Sequence, residues 1–173
     1  MMIETPLVRI LKRIKSLLDA ADLAGLSGTP GITVRHYRGR HANPEERPSI
    51  GLRMVADEVN TESYVTNDER LCYLSLDLIV DCDMASEDSD IDPTGLERLG
   101  RIANAAVAVL KDETAVDGEG NILRALCDAV VDEGVEADDN FEADEARFIH
   151  RLVVLYRTAI NDPNLLLAHE ESI

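Results

Sequence analysis

Residues 72–84 read Cys-Tyr-Leu-Ser-Leu-Asp-Leu-Ile-Val-Asp-Cys-Asp-Met, and this stretch decides the fold class. Apolar side chains recur at every second position from Leu74 to Met84, and polar side chains fill most of the positions between them. Alternation with a period of two is typical of a β-strand with one buried and one wet face. The stretch therefore predicts a strand in a sheet whose apolar face is covered.

Two amphipathic helices are predicted to cover that face. Thr5 followed by Pro6 is a helix-start signal, and apolar residues then recur at helical spacing, which predicts a helix up to Ala24. Asp92-Pro93 repeats the start signal and opens an alanine-rich helix that runs to about Lys111. Together with the strand, these helices predict an α+β protein.

Further strands are predicted on either side of the central one, at residues 32–37, 50–54 and 148–158. Polar, glycine-containing and proline-containing stretches predict exposed loops near 38–48, 57–70 and 85–92, and an acidic, mostly solvated segment at 112–145. The expected architecture is a single domain over residues 1–173, with a mostly antiparallel sheet of about four strands and two principal helices packed against it.

The charge of the chain is both large and uneven. It has 173 residues with 34 acidic and 17 basic side chains, which give a net charge of −17. This balance repels phosphate and nearly excludes a sequence-reading nucleic-acid binder. Residues 1–53 nevertheless carry nine bases and five acids. A basic third and an acidic remainder suit a contact between unlike surfaces of two copies.

Location and cysteine usage are predicted from what the sequence lacks. It contains no apolar run long enough to span a membrane and no secretory signal pattern, so we expect a cytoplasmic protein. Cys72, Cys82 and Cys127 form no C-x-x-C motif, and an odd number cannot all pair. We expect them to be small buried residues.

Acidic clusters are the only motifs that suggest metal chemistry. Asp88, Asp90 and Asp92 have the spacing of a calcium-binding loop, but proline and leucine occupy the positions where that loop needs glycine and glutamate. Asp77, Asp81 and Asp83 could share one strand face and hold magnesium, although no lysine lies near them in sequence. A solvated or lumen-facing acidic stripe is the favoured interpretation of Asp77, Asp81 and Asp83, and Asp92 is better used as a helix cap.

Motifs for other chemistry are missing from the sequence. It has no Gly-x-Ser-x-Gly, no Ser-x-x-Lys, no phosphate-binding glycine loop and no His-x-x-x-His. The turn Asp117-Gly-Glu-Gly120 is acidic and would repel phosphate. The sequence therefore predicts a protein that is not an enzyme and needs no cofactor.

The order of elements resembles that of the tail terminator, or tail completion, proteins of long-tailed bacteriophages. The resemblance is carried by the opening helix from Thr5 to Ala24, the strand from Leu74 to Met84 and the acidic turn into Asp92-Pro93 with its alanine-rich helix. The closing strand at Tyr156-Arg157-Thr158, followed by Asn161-Asp162-Pro163, completes it.

The resemblance implies a structural subunit of a six-membered ring in the neck of the virion tail, assembled in the host cytoplasm. Such a ring caps the tail tube and stops its polymerisation. It also provides the surface to which the DNA-filled head is joined. The implied partners are further copies of the chain, the tail tube protein, a head-side connector or stopper protein and the tape measure protein. DNA passes through the pore without sequence-specific binding, and no membrane is involved.

Two sets of residues are candidates for this role. Basic residues in the first third are candidates for the subunit interface: Arg9, Lys12, Arg13, Arg38, Arg40 and Arg47. Acidic residues on and after the central strand are candidates for the pore wall, where they would keep DNA from sticking: Asp77, Asp81, Asp83, Glu87, Asp88 and Asp90. No catalytic or metal-ligating residue is assigned.

Two alternatives remain open at the level of the sequence. The first is a divalent-metal-dependent hydrolase or nuclease that uses Asp77, Asp81 and Asp83. The second is another neck component or an adaptor that binds a basic partner through residues 112–145. The three interpretations differ in the number of subunits, in bound metal and in the response to salt.

Overall fold

The computed structural model of the chain describes residues 4–37, 42–66, 69–83, 96–137 and 145–167. The elements in these residues are α1 (Pro6–Ala20), α2 (Leu23–Ser27), β1 (Thr33–His36), β2 (Ser49–Thr66), β3 (Glu69–Asp83), α3 (Leu96–Lys111), β4 (Ala129–Ala137) and β5 (Glu145–Ala159). The predicted α+β class is confirmed, with one strand and one short helix more than expected.

The five strands form one mixed sheet in the order β1-β2-β3-β5-β4. β1 runs parallel to β2, whereas β2 with β3, β3 with β5, and β5 with β4 are antiparallel pairs. The strand predicted from residues 72–84 is the core of β3 and lies in the centre of the sheet. The mostly antiparallel sheet expected from the sequence is therefore present.

The helices cover only one face of the sheet, which we call the helix face; we call the other the open face. Residues of α1 and α3 pack against alternate residues of β2, β3 and β5. The largest fully buried side chains are aliphatic: Ile10, Ile14, Leu17, Leu18, Ile50, Leu74, Leu76, Leu78, Val80, Leu99, Ile102 and Leu152. Burial of such side chains provides ~1.5–3 kcal/mol each and defines the core.

The opening helix is shorter than predicted. Helix α1 ends at Ala20 because Ala21 adopts an extended conformation, and the chain restarts as the short helix α2. The Asp22 carboxylate caps α2 by accepting the Gly25 N–H at 2.8 Å. Ala24, the predicted end of the first helix, lies inside α2, and α2 ends at Gly28, whose φ of 70° is left-handed.

The predicted loop at residues 57–70 was wrong. Residues 57–66 continue β2 and residues 69–83 form β3, so the two strands make one long hairpin. The alternation fades here because the side chains of Asp57, Glu58 and Val59 are all exposed. A strand with two wet faces needs no apolar side, and a periodicity argument misses it.

The other predicted segments are only partly described. Residues 42–48 include a turn of 3-10 helix at Pro44–Glu46, while residues 38–41 and 84–95 lie outside the described residues. The acidic segment predicted at 112–145 contributes the strand β4. None of the helices in the described residues is long and apolar enough to cross a membrane.

Candidate functional site

The open face of the sheet carries rows of paired charges that run across the strands. Asp77 of β3 is fully buried, and its carboxylate lies between arginines of both neighbouring strands. Arg53 of β2 donates from Nε at 3.2 Å and from Nη2 at 2.5 Å, and Arg151 of β5 donates from Nε at 3.1 Å. Arg151 also approaches Glu136 of β4 at 3.9 Å. The row thus alternates in sign from β2 to β4.

Asp81 forms a second cluster four residues further along β3, on the same face. Arg147 of β5 donates from Nε to one carboxylate oxygen at 2.5 Å, and Arg35 of β1 approaches the other at 3.3 Å. The Arg147 side chain is 6% exposed and that of Arg35 is 17% exposed. This cluster is therefore more deeply buried on its basic side than the Asp77 cluster.

Asp83 ends β3 and pairs with the interface candidate Arg47. The distance from Arg47 Nη1 to the carboxylate is 3.1 Å, and the same guanidinium donates to the Ala42 carbonyl oxygen at 3.1 and 3.2 Å. Asp83 is 59% exposed, whereas Arg47 is 5% exposed. Arg47 therefore orders the chain before β2 and presents almost no surface to a partner.

These contacts correct the expected wet face of the central strand. Burying a carboxylate is costly unless cations and hydrogen-bond donors compensate it, and arginines on neighbouring strands supply both. Asp77 and Asp81 therefore have no free carboxylate surface for an acidic pore wall. The same arginines occupy the oxygens that a magnesium ion would need, and the described residues contain no group of three His, Cys, Asp or Glu placed to hold a metal.

The basic face of α1 is largely matched by acids of the same chain. Arg13 approaches Asp117 at 3.3 Å and donates to the Ile122 carbonyl oxygen at 2.9 Å. Lys12 pairs with Glu4. Arg9 is the interface candidate that has no hydrogen bond or ion pair among the described residues. The positive surface that α1 offers to a partner is therefore smaller than the sequence suggested.

The Asp117 turn closes one side of an open groove of about 600 Å³ beside α1. The Asp117 carboxylate accepts the main-chain N–H groups of Asn121 at 2.8 Å and Glu119 at 2.9 Å. These hydrogen bonds, that of Asn121 first, hold the pKa of Asp117 below its ordinary value. The turn anchors Arg13 and joins residues 112–128 to the first helix.

Strand β4 forms one edge of the sheet and is strongly acidic. Glu133 is exposed and Glu136 is 72% exposed. A bulge at Gly134, with a φ of 98°, separates the two acids. The Asp132 carboxylate is hydrogen-bonded to His150 Nε2 at 2.7 Å and accepts the Gly134 N–H at 2.9 Å, and these hydrogen bonds, that of His150 first, lower the pKa of Asp132. Acids and a bulge are typical devices by which an edge strand avoids indiscriminate pairing.

Strand β1 forms the opposite edge and borders an apolar groove on the helix face. The groove has a volume of about 430 Å³ and lies between β1 and the ends of α1 and α2. Its lining is mostly aliphatic: Leu18, Ala21, Leu23, Ala24, Ile32 and Val34. Two acids at its rim are already engaged, since Asp19 pairs with Lys15 at 2.5 Å and Asp22 caps α2.

The hairpin of β2 and β3 exposes three apolar side chains of β2. Met54, Val55 and Val59 are each about half exposed, at 46%, 50% and 47%. A bulge between Met54 and Ala56 interrupts the pairing with β3 at this point. β1 pairs with β2 only as far as Leu52, so no strand in the described residues covers the outer edge of β2 past that residue.

The remaining predicted site residues are only partly placed. Arg38, Arg40, Glu87, Asp88 and Asp90 lie outside the described residues. The sequence reasoning missed the arginines that cover the open face, although a signal for two of them was present. Arg147 and Arg151 are four residues apart, as are Asp77 and Asp81, and antiparallel pairing brings the two pairs into register.

Comparisons with known proteins assign this chain to no family. It matches no protein-family model, and no curated protein matches it.

Proposed function

We propose that the chain is a structural subunit that assembles into a closed ring, and that the ring is a tail terminator of a long-tailed bacteriophage. The observation that carries the proposal is that the two ends of the sheet are unlike. The β1 and β2 side of the open face carries Arg35 and Arg53, which pair with Asp81 and Asp77, and the β4 edge presents exposed glutamates. Unlike surfaces on one chain produce head-to-tail contacts, which close into a ring when the rotation between copies allows it.

The resemblance of the sequence supplies the specific role within this class. The elements that carry it correspond to α1, β3, α3 and β5, which form the helix layer and the centre of the sheet. On this proposal the ring lies in the neck of the virion tail, having assembled in the host cytoplasm. It caps the tail tube and joins it to the head.

The long hairpin is the element we assign to contacts along the ring axis. Its exposed Met54, Val55 and Val59 are apolar side chains of the kind that proteins use for contacts. We propose that this surface meets the tail tube protein. The connector or stopper protein then approaches from the head side, and DNA passes through the pore without base contacts.

Native mass spectrometry across a concentration series tests the proposal, because one spectrum reports both the number of subunits and bound metal. We expect a metal-free hexamer that dissociates as salt screens the contact. A monomer carrying one or two divalent ions would favour the hydrolase instead. A metal-free monomer that forms a salt-sensitive complex with a basic protein would favour the adaptor, which the exposed Glu133 and Glu136 could serve.

A second readout tests the terminator role itself. Tail tube protein that is allowed to polymerise with the chain present should give tubes of reduced length, each with the ring at one end in electron micrographs. Tubes of unchanged length with unoccupied ends would contradict the role even if the chain forms a ring.

A further inference from the structure

We infer that the Asp132 carboxylate determines the register of the second half of β4, and thereby which of two glutamates lies on the open face beside Arg151. The effect is confined to a single copy of the chain and does not depend on the proposed ring. Three features support it: the bulge in β4, the two acids on either side of that bulge and the contacts of Asp132.

The bulge shifts the pairing of β4 with β5 by one residue. On one side of it Asp132 lies opposite Leu152. On the other side Gly134 lies opposite Arg151, so Glu133 is the extra residue. Successive residues of a strand point to opposite faces, and one extra residue therefore turns every residue after it to the other face. The bulge thus decides which side chains of β4 lie on the open face.

The sequence of β4 also permits a straight register without the bulge. In the observed register Glu136 lies opposite Ile149 on the open face and approaches Arg151 at 3.9 Å. In a straight strand Glu133 would lie directly opposite Arg151 instead. Val135 would then move to the open face, opposite Ile149. Both registers give Arg151 an acidic neighbour, so the ion pair alone does not choose between them.

Gly134 permits the bulge but does not require it. Its φ of 98° is left-handed, a conformation that glycine adopts at little cost and other residues rarely adopt. Among the described residues, no atom lies within 4 Å of the place that a Cβ at Gly134 would take. The conformation of the backbone, and not the packing, therefore favours glycine here. Because glycine adopts the extended conformation as well, another contact must hold the bulge.

Asp132 supplies that contact. Its Oδ1 accepts the Gly134 N–H across the bulge at 2.9 Å, a hydrogen bond over two residues that a straight strand does not allow. The same oxygen is hydrogen-bonded at 2.7 Å to Nε2 of His150, which is 3% exposed. The Nδ1 of His150 has no hydrogen-bond partner among the described residues. An ionised carboxylate only accepts, so Nε2 donates, and His150 orients Asp132 from the neighbouring strand.

Disulfide formation between β4 and β5 distinguishes the two registers. Residue 149 lies opposite residue 136 in the observed register and would lie opposite residue 135 in the straight one. The pairs Glu136→Cys/Ile149→Cys and Val135→Cys/Ile149→Cys therefore report one register each. The three natural cysteines are buried and do not compete. With Asp132 present, the 136–149 disulfide should form at least about tenfold faster, the factor that one hydrogen bond to a charged group provides.

Asp132→Ala should remove this preference, so that the 135–149 disulfide gains about tenfold relative to the 136–149 disulfide. Glu133→Ala is the matched control, because it removes an exposed acid from the same bulge and leaves the hydrogen bond to Gly134 in place. Its ratio of the two disulfides should equal that of the parent. Gly134→Ala keeps Asp132 but penalises the left-handed φ, and it should shift the ratio in the same direction as Asp132→Ala.

Circular dichroism checks that each variant is folded, and mass spectrometry of the monomer counts only disulfides within one chain. An unchanged ratio in Asp132→Ala overturns the inference. Loss of both disulfides in that variant overturns it as well, since β4 would then leave the sheet instead of changing register. If Asp132→Ala is unfolded, Gly134→Ala decides, and an unchanged ratio there overturns the two registers.

Discussion

The Asp81 cluster should matter more to stability than the Asp77 cluster, although Asp77 is the more buried carboxylate. The reason lies with the arginines. When Asp77→Asn removes the charge, Arg53 and Arg151 can turn toward water, since their side chains are already 36% and 43% exposed. When Asp81→Asn removes the charge, Arg147 is 6% exposed and must keep its guanidinium in the protein.

The magnitudes follow from this difference in exposure. Removing one partner of a buried ion pair costs roughly 3–5 kcal/mol, because the remaining charge stays desolvated. Losing hydrogen bonds to a charged group that water can rehydrate costs about 1.5–3 kcal/mol. We therefore expect the free energy of unfolding to fall by about 4 kcal/mol in Asp81→Asn and about 2 kcal/mol in Asp77→Asn.

Urea denaturation followed by circular dichroism measures the difference. With a slope of about 2 kcal/mol per molar, the two midpoints should lie about 1 M apart. Glu97→Gln is the control, because Glu97 and its partner Arg101 are 55% and 54% exposed, and pairs of this kind contribute at most about 1 kcal/mol. Equal midpoints for Asp77→Asn and Asp81→Asn, or a reversed order, would refute the argument from arginine exposure.

Two further predictions concern titration and thiol chemistry. Hydrogen bonds from the N–H groups of Asn121 and Glu119 lower the pKa of Asp117 from 3.8, so its contribution to stability is present above about pH 4 and is lost as the pH falls through the lowered value. The free energy of unfolding should therefore fall less steeply below about pH 4 in Asp117→Asn than in the wild type. Equal pH dependence in the two proteins would contradict this. Burial raises the pKa of Cys127 to about 12, and Cys72 and Cys82 are buried as well. A thiol reagent at neutral pH should label no cysteine in the native chain and all 3 after unfolding.

Much of the fold could be predicted because burial leaves a periodic record in the sequence. Residues 72–84 place alternate apolar side chains against two helices, and both periods are visible without a structure. Where a strand is exposed on both faces, its sequence shows no alternation of apolar and polar residues. Residues 57–59 of β2 and most of β4 are exposed on both faces, so their strand character depends on pairing with distant residues.

The site could be predicted less well, because the sequence shows charges but not their partners. Asp77 and Asp81 were expected on a solvated stripe, and the arginines that enclose them come from 24 to 74 residues away in the chain. The same holds for α1, where Arg13 forms an ion pair with Asp117, a residue far from it in the sequence. Net charge indicated that basic and acidic regions exist, but only the tertiary structure shows which of them already neutralise each other.

The two aspartates of β3 also determine how the sheet can be aligned while the chain folds. A slip of β3 by one residue would turn Asp77 and Asp81 onto the helix face, into the aliphatic core. A slip of two residues relative to β5 would keep them on the open face but set Asp77 opposite Val153 or Ile149 instead of Arg151. A slip of four would leave one carboxylate with an arginine and the other without.

Each misaligned sheet thus loses at least one of the arginine contacts that compensate the buried carboxylates, which lowers its stability. The aliphatic residues of β3 are nearly interchangeable in size and would tolerate such slips on their own. The charge pairs therefore act as alignment marks that exclude neighbouring registers, and they allow a sheet built from repetitive leucine and valine to reach a single native pairing.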